Sequence, residues 1–164
     1  MTILLTDEVI GSLIEEKKVV SEDFLKQLKG KSKRGHKEFE TEIIGENGSI
    51  FHLRLRQSDS NQLDFSVILL YTQKGSPRQF RLRRYNGKSH EHTNPKEKQT
   101  FYGFHIHTAT ERYQQYGNKN EDTFAEVTTR YADYNGAIEC MIEDCGFVFS
   151  TINHSLVQFL HNEG

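Results

Sequence analysis

Apolar residues recur along this chain at two periods, and the change falls near Phe39. Before it, residues 6–30 carry helical spacing. Val9, Ile10, Leu13 and Ile14 form one stripe behind Thr6, whose hydroxyl suits an N-cap, with Asp7 and Glu8 in the first turn. Phe24, Leu25 and Leu28 repeat the spacing after Ser21, and Gly30 suits a helix stop. Two short helices are predicted. The run KGKSKRGHK over 29–37 reads as a basic connector, solvated or reaching for phosphate.

From Phe39 the period is two. Phe39, Thr41 and Ile43 alternate with Glu38, Glu40 and Glu42; Phe51, Leu53 and Leu55 alternate with His52, Arg54 and Arg56. A three-residue loop, Glu46-Asn47-Gly48, sets Ile43 opposite Phe51 and Thr41 opposite Leu53. The same register sets Glu42, Glu40 and Glu38 opposite His52, Arg54 and Arg56. A loop one residue shorter would place charge against Phe, so the pattern selects the register. Arg54 and Arg56 are then partners for glutamates.

Residues 63–72 form a strand that is apolar on both faces after Asp64, which suits a central position. A fourth strand follows at 79–85, with Phe80 and Leu82 on one face and Arg81, Arg83 and Tyr85 on the other. After a polar loop over 86–98, a fifth strand runs from 101 to 107. It sets Tyr102, Phe104 and Ile106 against His105 and His107. Thr108 and Glu111 form a capping box for the next helix. Phe124, Val127, Tyr131, Tyr134, Ile138, Met141 and Cys145 then recur at steps of three and four, predicting a helix interrupted at Asn135-Gly136. A short strand at 147–149 and a last helical turn at 155–161 complete the chain. The prediction is one α+β domain over 1–164. It has an antiparallel meander of about five strands, with N-terminal and C-terminal helices packed mainly on one face.

Composition changes this picture little. Only 35% of residues are hydrophobic, but eleven Phe and seven Tyr supply large buried areas, enough for a core. A formal net charge of −2 means that any nucleic-acid contact is a local basic patch. Cys140 and Cys145 suit reduced core thiols, Cys145 lying in the helical stripe. No signal peptide or membrane-length apolar run is present, so the expectation is a cytoplasmic protein without a membrane partner.

Candidate chemistry concentrates in RLRRYNGKSHEHTNPKEKQTFYGFHIHTATERY, residues 81–113, which hold four of the eight histidines as two H-x-H pairs. His105 and His107 share a strand face directly before the Thr108 cap, where free N–H groups favour an anion. With Arg81, Arg83 and Arg84 on phosphate, the pair suits metal-free RNA cleavage. One histidine takes the 2′-OH proton, the other protonates the leaving oxygen, and an arginine stabilises the phosphorane. Tyr85 would position a base or act as the acid. Thr108, Thr110 and Arg112 are further phosphate donors, and His90 and His92, flanking Glu91, would close over the site. No cofactor is needed for this chemistry. A second reading uses His90, His92, His105 and His107 as ligands for zinc or manganese. A third leaves them as surface groups. Phosphate loops and a serine-nucleophile elbow are absent from the sequence.

At RLRRYNGKSHEHTN and FHIHTATERY the chain resembles the TumE-type toxins of bacterial toxin–antitoxin modules. Those carry an Arg/Tyr-rich strand, a turn, a loop histidine and a following H-x-H. Arg84, Tyr85, His90, His92, His105 and His107 stand at the corresponding positions. The resemblance implies a ribonuclease with RNA as substrate and an antitoxin as partner. The whole chain also resembles small proteins of Firmicutes and their phages, which implies no activity. A non-enzymatic protein that blocks a host complex, pairing through the Glu38/Glu40/Glu42 strand, is the rival expectation.

Overall fold

The structure, a computed structural model, describes residues 4–28, 31–33, 36–116 and 119–150. In chain order it holds α1 (Asp7–Glu15), β1 (Lys18–Val20), α2 (Asp23–Gln27), β2 (Lys31–Lys33), β3 (His36–Ile44), β4 (Ile50–Ser58), β5 (Phe65–Thr72) and β6 (Gln79–Asn86). There follow β7 (His92–Asn94), β8 (Gln99–Phe101), β9 (His105–Thr108), α3 (Glu111–Gln114), β10 (Ala125–Val127), α4 (Tyr134–Asp144) and β11 (Phe147–Phe149).

The fold is α+β. Its main sheet runs β2-β3-β4-β5-β6-β9-β10, with every pair antiparallel. The expected meander is there, with β5 at its centre, but it has seven strands rather than about five. Two additions explain the difference. The connector at 31–33 turns back on β3, and 125–127 is a strand on β9 rather than the start of a helix. The helical stripe begins only at Tyr134, where the Asp133 carboxylate accepts from Gly136 N at 2.7 Å and caps α4. Residues 18–20, expected within the helical segment, instead pair in parallel with β11.

The β3–β4 register is the one that the charge pattern selects. Ile43 faces Phe51, Thr41 faces Leu53, and Glu42, Glu40 and Glu38 face His52, Arg54 and Arg56. Gly48 closes the loop at φ +84°, a conformation that a side chain would strain. Arg54 lies 3.5 Å from Glu40, whereas Arg56 reaches Asp64 at 2.9 Å. The β3 strand is covered over 36–38 by β2, so Glu38 is not on a sheet edge.

One sheet face carries the main core. Phe51, Leu53, Leu55, Phe65, Val67, Leu69, Leu82 and Tyr85 pack with Ile10 and Leu13 of α1, Phe24 of α2, and Ala137, Ile138 and Met141 of α4. These helices therefore lie on one face, as predicted. Both cysteines are free and buried there. Among the described residues no helix is long and apolar enough to cross a membrane. The predicted helix stop at Gly30 and the last helical turn at 155–161 lie outside the described residues.

Candidate metal centre

A β-bulge decides which side chains meet. Pairing of β5 with β6 steps from Leu69↔Arg83 to Leu70↔Arg81, so Leu82 is an extra residue. Strict alternation through RLRRY therefore fails. Arg83 and Tyr85 share the helix-covered face, and Arg81 and Arg84 take the other. Next door, Arg84 pairs with His107 and Asn86 with His105. The two histidines thus share their face with Arg84, not with Arg83 and Tyr85 as alternation implied.

That face is not open at this end. Residues 86–98, expected as a polar loop, contain β7 and end in the turn of a hairpin, β7–β8, that folds over β9. Pro95 opens the turn and Lys98 closes it at φ 55°. Thr93 and Thr100 share a cross-strand hydroxyl bond of 3.0 Å. Asn94 docks the hairpin on the sheet edge. Its Oδ1 accepts from Ala125 N at 2.9 Å, and its Nδ2 donates to Ala125 O at 2.7 Å. The docked hairpin lays the His92 ring 5.3 Å from that of His105 and 4.8 Å from that of His107. One ring nitrogen from each of the three histidines lies within 4.8 Å of the others. His105 and His107 are each only 3% exposed.

Hydrogen bonds fix the tautomers. His107 Nδ1 is 2.7 Å from Asp122 O, and His105 Nδ1 is 2.8 Å from Gly103 O. A carbonyl only accepts, so both Nδ1 atoms carry the proton and both Nε2 atoms keep a lone pair. His92 Nε2 is 2.8 Å from Asn94 Oδ1. Because Ala125 fixes that amide, Oδ1 faces His92, whose Nδ1 keeps the lone pair. Each ring donates one N–H to an oxygen, which is how metal-ligating imidazoles are oriented, and of the other nitrogens His107 Nε2 has a long contact of 3.5 Å with Asn86 Nδ2.

The electrostatics favour neutral rings. Burial, with Arg84 and the neighbouring histidines, lowers the His107 pKa from 6.5 to about 2. Burial, partly countered by the Gly103 carbonyl, lowers that of His105 to about 4. Arg84 Nε lies 3.1 Å from the wholly buried Asp122 carboxylate, which Arg81 approaches at 3.6 Å. Burial pushes the Asp122 carboxyl upward against these two cations. Asp122 thus holds His107 through its carbonyl and Arg84 through its carboxylate.

The other predicted residues sit elsewhere. His90 is exposed and bonds Ser89 Oγ at 2.9 Å, so three of the four ligand candidates converge and His90 does not. Tyr85 is fully buried under the helices and donates to Asp144 Oδ2 at 2.7 Å. Its hydroxyl proton is held far above the usual tyrosine range by burial, so it is no acid for the histidines. Thr108 faces away with Arg83 and lines a small pocket beside Arg130. Thr110, not Thr108, caps α3, accepting from Tyr113 N at 3.2 Å. Glu111 N donates to Asp7 Oδ1 and Thr110 N to Glu121 O, so the N–H groups at the start of this four-residue helix are largely taken up within the protein. Arg112 lies 2.6 Å from Glu97 and stacks on Phe124. Sequence reasoning missed Asn86, Asn94 and Asp122. The NPKEK turn is the signal that would have found the Asn94 hairpin.

Comparison with protein-family models, with curated proteins and with solved structures finds no match.

Proposed function

We propose that the protein is a metalloprotein in which His92, His105 and His107 bind one divalent d-block ion, with zinc the reference case. The observation that carries this is the set of three lone pairs. Each ring is oriented by an N–H bond to an oxygen, and among the described residues the remaining nitrogens have no proton to accept beyond a long contact from Asn86. Ligand nitrogens about 3.3 Å apart follow from tetrahedral zinc with Zn–N bonds of about 2.0–2.1 Å. One nitrogen from each ring already lies within 4.8 Å of the other two.

Among the described residues no carboxylate or thiolate joins the three histidines. Three neutral protein ligands and an unfilled fourth position make the donor set of a hydrolytic centre, where the ion lowers the pKa of bound water. Such a centre offers a better route to phosphodiester cleavage than the metal-free histidine pair. A general acid must carry its proton at working pH, and both buried rings favour the neutral form.

The test is metal content after chelator-free purification, followed by calorimetric titration of Zn²⁺ into stripped protein. One equivalent is expected to bind. Because His92 is only half-buried, His92→Ala keeps the fold by circular dichroism but loses about 100-fold in zinc affinity or more. A stripped chain that takes up no zinc, or a His92→Ala chain that binds it as tightly as wild type, would sink the proposal.

A further inference from the structure

We infer that the fourth position of this centre takes an oxyanion, which the Asn86 amide and the Arg84 guanidinium hold beside the metal. The inference rests on the metal reading above and names the ligand class of that site.

Charge is the first argument. Three imidazoles bring no negative charge to a divalent ion, and His105 and His107 are 3% exposed. The wholly buried Asp122 carboxylate is turned to Arg84 and Arg81, at 3.1 and 3.6 Å, and is neutralised there. A buried ion with two uncompensated charges is strongly disfavoured. An anionic fourth ligand offsets that charge where neutral water does not.

Asn86 is the second argument. It is 9% exposed, and its Oδ1 accepts from Ser66 Oγ at 3.1 Å. That bond turns Nδ2 toward His107 Nε2, at 3.5 Å. An ion bound to the same lone pair takes this acceptor away and leaves a buried N–H donor without one. An oxygen carried on the metal meets that donor.

Arg84 is the third. It is the cross-strand neighbour of His107, and its side chain is 24% exposed, so this flank of the centre reaches solvent. Its Nε, although 3.1 Å from Asp122, makes no well-directed hydrogen bond. That buried Nε stays turned to Asp122, so it is the solvent-reaching remainder of the guanidinium that faces an incoming oxyanion.

The experiment uses the full chain loaded with cobalt(II), whose visible bands report its coordination. Inorganic phosphate and acetate are titrated in separate arms. A saturable change in the bands is expected from at least one of them. Asn86→Leu and Arg84→Gln should each weaken that anion by about tenfold, the worth of one charge-assisted bond, while cobalt stays bound. Arg84→Lys should recover part of the loss, and it carries the test where Arg84→Gln fails to fold. Cobalt bands that ignore both anions, or anion affinities equal in wild type and all variants, overturn the inference and leave the metal centre standing. Failure of wild type to bind cobalt or zinc overturns both.

Discussion

Lys18 and the His92, His105 and His107 cluster are polar groups that this fold covers, His92 only in part, and they differ in what their polar atoms are given. Lys18 is fully buried on the helix-covered side, 4.3 Å from the centre of the Phe51 ring. Its Nζ donates to Leu13 O at 3.1 Å, Ile14 O at 3.0 Å, Glu16 O at 2.8 Å and Cys145 O at 2.8 Å. Those carbonyls end α1 and α4, where a cation is favoured and where orphan acceptors need donors. Every N–H of the ammonium has an oxygen, so the cluster is closed. The histidines, on the other side of the sheet, each give one N–H to an oxygen and bring one ring nitrogen within 4.8 Å of the others, with only the long Asn86 contact on His107 Nε2 beside them. A buried polar group is thus a structural part when its bonding capacity is filled, and a candidate site when a fixed part of that capacity is left over.

Acid separates the two clusters most strongly. The folded-state pKa values of His105 and His107, about 4 and about 2, lie below the unfolded value near 6.5. Below pH 6.5 the unfolded chain therefore binds more protons. The stability that these rings contribute is fully present above pH 6.5 and is lost as pH falls toward their folded values. At about pH 5 each should have lost about 2 kcal/mol relative to about pH 7.5. Lys18, with a pKa of about 8, keeps its proton over most of this window. Asp122, raised by burial, works in the opposite direction. Denaturant melts of metal-free protein should therefore show a drop of about 4 kcal/mol between these conditions, less whatever Asp122 returns. His107→Asn should remove about half of the histidine part; an unchanged drop would take His107 out of the account.

The converse perturbation is Lys18→Met. It keeps the apolar stem against Phe51 but leaves four buried carbonyls without their donor. The expected loss is about 3 kcal/mol, on the scale of charged hydrogen bonds with their partners left unsatisfied. For a chain of this size that lowers Tm by about 10 °C. Zinc affinity at neutral pH should not move. A loss under about 1 kcal/mol would show that water or another donor replaces the ammonium, and the closed cluster would not be closed.

Much of this contrast was not legible in the sequence, for three physical reasons. Local alternation carried the β3–β4 hairpin, because charge and apolar positions there agree on one register and Gly48 fixes the loop. The same reasoning misplaced Arg83 and Tyr85, because the bulge at Leu82 shifts parity in mid-strand. The adjacent pair Arg83-Arg84 already breaks the alternation, directly after the bulged Leu82. His105 and His107 were correctly assigned to the face away from the main core, yet they are buried. What covers them is a hairpin whose strands, HTN and QTF, are short and polar and leave no apolar periodicity to read. The Lys18 cage is likewise invisible locally, since its fourth carbonyl comes from residue 145.

The smallest expected effect tests whether the histidines are held for a purpose or only packed. Asn94 is fully buried and serves two masters. Its amide acts as a strand neighbour to Ala125, and its Oδ1 also faces His92 Nε2 at 2.8 Å. Asn94→Ala removes both, so a loss of stability alone would say nothing about the metal. The two roles separate in Asn94→Asp. That variant keeps an oxygen for Ala125 N and for the His92 N–H, but it sets a carboxylate against Ala125 O. Stability should therefore fall in both variants. Zinc affinity should fall about tenfold only in Asn94→Ala, where nothing selects the tautomer that frees His92 Nδ1. Calorimetry on stripped protein reads this directly. Equal zinc affinity in wild type and Asn94→Ala would mean that the hairpin backbone alone aims the His92 ring, and that Asn94 belongs with Lys18 among the groups that only hold the fold.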